Sequence, residues 1–121
     1  MAEDKDKGQG QGQGQEIFGA MPTGQGVDLS APPSLVTPGR FKGVRVLITG
    51  AAQGIGLAVA HRIAHESGSV FLVDRSEHVH RVAEQFCEVT SGGVGSATAD
   101  LETWEGAESM VAECHEALDG F

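Results

Sequence analysis

The residues best suited to chemistry in this 121-residue sequence lie in the stretch Thr49-Gly50-Ala51-Ala52-Gln53-Gly54-Ile55-Gly56. Its glycines leave a run of backbone N–H groups uncovered, and main-chain donors gathered at a turn make an anion site. Gly50 suits a backbone conformation closed to other residues, Gly54 lets a pyrophosphate reach the main chain with no Cβ in the way, and Gly56 lets a helix pack close to a strand. The spacing Gly-x-x-x-Gly-x-Gly differs from the Gly-x-Gly-x-x-Gly fingerprint and from the lysine-bearing phosphate loop, because no lysine follows the last glycine. A second group, Asp74-Arg75, stands eighteen residues after Gly56. A carboxylate at Asp74 accepts hydrogen bonds from the two hydroxyls of an adenosine ribose and repels a 2′-phosphate, whereas Arg75 would attract one. Asp74 is the nearer of the two to the strand end, so NAD is expected over NADP. The other role open to Asp74 is that of a turn or capping aspartate.

These residues need a strand before the turn and a helix after it. Val44 to Ile48 is a short β-branched apolar run, and Ile55, Ala58, Val59, Ile63 and Ala64 follow helical spacing up to Gly68, a C-terminal stop. Val70-Phe71-Leu72-Val73 is apolar throughout, as expected of a strand covered on both faces. Ser76 then opens a helix whose stripe is Val79, Val82, Ala83 and Phe86. After Gly92-Gly93, a third strand over Val94 to Ala99 leads to Asp100-Leu101, and Thr103 starts a last helix with the stripe Ala107, Met110, Val111, Cys114, Leu118 and Phe121. Three strand–helix alternations give α/β architecture: the N-terminal part of a doubly wound parallel-sheet Rossmann fold, β-α-β-α-β-α.

Two regions are predicted: residues 1–40 a low-complexity disordered tail, and 41–121 half of a nucleotide-binding domain. The first forty residues carry a Gly-Gln repeat and then Gly, Pro, Ser and Thr, a composition that does not offset the entropy of ordering. Ile17, Phe18 and Met21 could serve as a short docking anchor within a solvated extension. A net charge of −9 with few, scattered basic residues argues against nucleic acid as a partner. No apolar run is long enough to span a membrane and no signal sequence opens the chain, which predicts a cytoplasmic protein. The two cysteines, Cys87 and Cys114, are read as reduced core-filling thiols. His61 and His65 share a helix face but lack a third ligand, so no metal site is expected.

The glycine turn after the first strand resembles the cofactor motif of the short-chain dehydrogenase/reductase superfamily. Together with Val73-Asp74-Arg75-Ser76-Glu77-His78-Val79 and Asp100-Leu101-Glu102-Thr103, it is most similar to the cis-diol carboxylate dehydrogenases of benzoate breakdown, over Phe41 to Phe121. The resemblance implies an oxidoreductase of aromatic compound catabolism that passes hydride between an alcohol or cis-diol and NAD. It also implies that the Asp100 carboxylate and the Leu101 N–H hold the adenine, although an aspartate before a helix is equally suited to capping. The cofactor-binding candidates are therefore Gly50, Gln53, Gly54, Ile55, Gly56, Asp74, Arg75, Asp100 and Leu101.

That family's general base is a tyrosine assisted by lysine, serine and asparagine. This sequence has no tyrosine and no asparagine, and its lysines, Lys5, Lys7 and Lys42, all precede the turn. No catalytic residue is assigned, and the chain is expected to be an inactive fragment of such an enzyme. The alternative is a non-enzymatic dinucleotide-binding or interaction module complete at 121 residues. A homo-oligomer stays open, because the family's interface helices come later in its chains.

Overall fold

The structure, a computed structural model, describes residues 28–121. The Ile17–Met21 anchor and the Gly-Gln repeat lie outside the described residues. Three strands, β1 (Arg45–Thr49), β2 (Ser69–Asp74) and β3 (Val94–Thr98), alternate with three helices, α1 (Gly54–His65), α2 (His78–Phe86) and α3 (Trp104–Leu118). The strands are parallel in the order β1-β2-β3, with Thr49 opposite Val73 and Asp74 opposite Thr98. The α/β Rossmann reading holds, and the register brings the carboxyl ends of all three strands to one rim.

Alternation along the central strand builds two cores. Val70 and Leu72 face α1 and α2, where Leu57, Ala60, Val79, Val82 and Phe86 close the layer. Phe71 and Val73 face the other way, against Cys114 and Leu118 of α3. Helices therefore cover both faces of β2, which explains an apolar strand without polar alternation. Each fully buried Val, Leu or Phe stabilises the fold by about 1.5–3 kcal/mol relative to exposure. The α3 stripe is only partly used: Cys114 and Leu118 are buried, while Val111 and Phe121 stay exposed. Of the two thiols, only Cys114 fills the core. Cys87 is exposed at the end of α2, and both are free.

The last part of the segment expected to lack a core contributes one. Leu29 is 1% exposed and belongs to the α1–α2 cluster. Around it runs a polar seam: His65 Nε2 donates to the Leu29 carbonyl at 2.9 Å, His61 Nε2 donates to that of Ala31 at 2.8 Å, and Arg62 donates to the carbonyls of Ser34 and Leu35. Glu66, its side chain closed to solvent, receives Arg40 through both carboxylate oxygens at 2.6 and 3.0 Å, the Thr37 N–H at 3.0 Å and Arg62 at 3.2 Å. Residues 28–40 are thus fastened to α1, and the packed part of the chain begins before residue 41. His61 and His65 spend their ring N–H groups on carbonyl oxygens, and no metal-holding cluster occurs among the described residues.

Candidate functional site

The turn between β1 and α1 is shaped by backbone sterics. Gly50 and Gly54 have φ of +65° and +63°, the left-handed region that disfavours side chains. A Cβ on Gly54 would meet nothing within 4 Å, so that glycine faces open space. Gly56 is different: a Cβ there would fall on the carbonyl of Gly50, with the carbonyl carbon 2.7 Å away, and only glycine lets the first turn of α1 lie against the end of β1. Gln53 takes the N-cap position in extended conformation, makes no side-chain cap, and no acidic residue occupies the first turn. The amino end of α1 thus presents its partial positive charge with no cap from Gln53 and no carboxylate in its own first turn.

Asp74, the last residue of β2, anchors this turn from the neighbouring strand. Its Oδ2 accepts the Ala52 N–H at 3.0 Å and its Oδ1 accepts the Ser76 N–H at 3.0 Å. The next strand end is built similarly: Asp100 Oδ1 accepts the Glu102 N–H at 3.0 Å, and Thr103 Oγ1 caps α3 through the Gly106 N–H at 3.0 Å. Such a cap contributes about 1 kcal/mol. Ala99 N–H donates to the Asp74 carbonyl at 3.1 Å, which ties the two strand ends together.

A cleft of about 320 Å³ opens at this rim, lined by Thr49, Gly50, Val73, Asp74, Arg75, Ala99, Asp100, Leu101 and Glu102. Five of the nine residues singled out from the sequence share it: Gly50, Asp74, Arg75, Asp100 and Leu101. Gln53, Gly54 and Gly56 are not among its lining residues; they follow Gly50 as the N-cap and the first residues of α1. Ile55 departs from the group, 72% exposed and beside Phe41 and Val59 in a separate apolar hollow. Glu102 enters the cleft as well, and its carboxylate stands 3.5 Å from the Arg75 guanidinium. That residue was legible only as part of a motif, since nothing in the sequence links positions 75 and 102.

The arrangement suits a dinucleotide. Glycine backbone and a helix amino end can take a pyrophosphate, and a carboxylate at the adjacent strand end can take ribose hydroxyls, at the carboxyl edge of a parallel sheet where such ligands bind. Comparison with known proteins agrees. The sequence pattern of the family described as short chain dehydrogenase matches residues 44–121. The chain is 47% identical over 73 residues to 1,6-dihydroxycyclohexa-2,4-diene-1-carboxylate dehydrogenase of Pseudomonas putida, covering 60% of this chain and 26% of that enzyme. It is 40% identical over 82 residues to glucose 1-dehydrogenase of Gluconobacter oxydans, covering 67% of this chain and 31% of that one. Among solved structures, a short chain dehydrogenase from Mycobacterium smegmatis superposes with a TM-score of 0.67 at 26% identity, over 77% of this chain and 40% of its own. The chain thus spans between about a quarter and a third of the length of these curated relatives. With the glycine turn, the sheet order and the matched sequence in agreement, the chain belongs to the short-chain dehydrogenase family.

Proposed function

We propose that residues 41–121 bind NAD in the cleft at the sheet rim, as the cofactor-holding part of an oxidoreductase acting on an alcohol or cis-diol. The observation that carries this reading is the Asp74 carboxylate, fastened to the glycine turn and lining the same cleft as Gly50 and Asp100. In it, the backbone of Gly50, Gln53, Gly54, Ile55 and Gly56 receives the pyrophosphate. Asp74 and Arg75 flank the adenosine ribose, and the Asp100 carboxylate and Leu101 N–H receive the adenine. When bound, NAD supplies the hydride acceptor, and this chain's residues orient it and set its selectivity. A negative charge at Asp74 opposes a 2′-phosphate, so NAD is favoured over NADP.

The sequence contains no tyrosine to take the hydroxyl proton, so the 121-residue chain alone is expected to turn over no substrate. A role in aromatic compound catabolism is supported by the similarity to the cis-diol carboxylate dehydrogenase. No helix of the described residues is long and apolar enough to cross a membrane, and both thiols are free, which supports a cytoplasmic setting. A homo-oligomer is compatible with the exposed apolar faces of α1 and α3. Calorimetric titration of the chain with NAD and with NADP tests the reading. Tighter binding of NAD is expected, and tighter binding of NADP would overturn the assignment of Asp74.

A further inference from the structure

Arg75 poses a problem for any preference for NAD. A guanidinium at the end of the second strand, beside the site proposed for the ribose, offers paired donors to a 2′-phosphate. The structure gives that guanidinium a different partner. Its Nη1 lies 3.5 Å from Oε2 of Glu102, which stands at the end of the neighbouring strand's loop. Both residues line the same cleft. The backbone at Glu102 is held in place: its N–H donates to Asp100 Oδ1, and the next residue, Thr103, caps α3. The loop thus sets the backbone from which the Glu102 carboxylate reaches Arg75.

We infer that Glu102 is a specificity-determining residue: it engages Arg75 and keeps that cation from serving a 2′-phosphate, so the cleft favours a dinucleotide with a free 2′-hydroxyl. This rests on the proposal that the cleft binds NAD, and it adds a residue that works through Arg75. Asp74 excludes the phosphate by its own charge and by accepting hydroxyl protons. Glu102 acts one step removed, by occupying the only basic side chain among the cleft's lining residues. A 2′-phosphate must therefore compete with a resident carboxylate for Arg75, whereas NAD leaves the pair intact. Both side chains are largely exposed, so the effect is modest and screened by salt.

Trp104, the only tryptophan, follows Thr103 at the start of α3, and energy transfer from it to a bound reduced cofactor is expected to report binding. Titrations with NADH and NADPH at low salt are run on the chain and on Glu102→Gln, Arg75→Ala and the double variant, each checked by thermal melt. Glu102→Gln is expected to tighten NADPH about fivefold and to change NADH by less than about twofold. In the Arg75→Ala background the same substitution is expected to gain less than about twofold for NADPH, because no arginine is left to release. Unchanged NADPH affinity in Glu102→Gln would overturn the inference. A fivefold gain that persists without Arg75 would also overturn it, since Glu102 would then act by direct repulsion alone. Absence of NADH binding by the unmodified chain would instead remove the underlying cofactor reading, and this inference with it.

Discussion

The Asp74 carboxylate is bonded to the backbone of the glycine turn, 3.0 Å from the Ala52 nitrogen, while its other oxygen accepts from Ser76. One side chain thus joins the end of β2 to the turn after β1 and stands in the cleft. Replacing it removes an acceptor from two backbone donors as well as a charge. Asp74→Ala is expected to weaken NAD binding about tenfold and to narrow the preference over NADP. Asp74→Asn, which keeps an acceptor, should retain the melting temperature better while still relaxing the preference. Titration of both variants with both cofactors, beside thermal melts, checks this.

At Gly56 the first turn of α1 lies directly against the turn that ends β1. Gly56→Ala places a methyl group on the Gly50 carbonyl, which is backbone and moves only with the turn. A loss of about 1–3 kcal/mol is expected, measured by urea unfolding of the variant against the unmodified chain. Gly106→Ala would meet the Asp100 carbonyl in the same way at the start of α3. It should cost a similar amount.

The seating of residues 28–40 rests on one apolar anchor. Leu29 is nearly inaccessible, among residues of the α1–α2 layer. Leu29→Ala is expected to cost about 2–5 kcal/mol by the same unfolding measurement. Limited proteolysis should then cut within 28–40 faster than in the unmodified chain, because an unseated segment exposes its backbone. A variant as stable as the parent would show that the segment contributes nothing to the core.

That segment also marks the limit of what the sequence discloses. The strand–turn–helix order, the two-sided burial of Val70 to Val73 and the placing of Asp74 and Asp100 at strand ends all follow from local pattern. Apolar periodicity and glycine punctuation report directly on backbone geometry. The attachment of 28–40 left no such trace, because apart from Leu29 it is made by His61, Arg62, His65 and Glu66 bonding to carbonyls and to Arg40 across at least 26 positions. Composition reads such a stretch as unable to fold. The Arg75–Glu102 pair and the outward position of Ile55 are tertiary in the same sense.

Acid should loosen this seam in two stages. Burial pushes the His61 imidazole below its ordinary value, against the opposing effect of its bond to Ala31. The unfolded chain therefore takes up that proton first. Stability is whole above the ordinary histidine range near 6.5 and declines as pH falls toward the folded value. The Arg40 hydrogen bonds, then the Thr37 N–H, hold Glu66 below the ordinary carboxylate value. Its contribution is present above that range and is lost as pH falls through the lowered one. Melting temperatures recorded from about pH 8 to about pH 3 are expected to show both declines. Glu66→Gln should lower the melting temperature at neutral pH and flatten the acid limb, and an unflattened limb would remove Glu66 from this role.

The central claim is that the glycine turn holds a dinucleotide, and its most direct test is NADH binding by the chain and by Gly54→Val. Gly54 faces open space with a φ of +63°, so a branched side chain there would stand in the path to the main-chain donors and strain the turn. Energy transfer from Trp104 measures binding without requiring turnover, and circular dichroism checks that both proteins are folded. Saturable NADH binding is expected of the unmodified chain and none of a folded Gly54→Val variant. Equal binding by the two would place the dinucleotide away from the glycine turn.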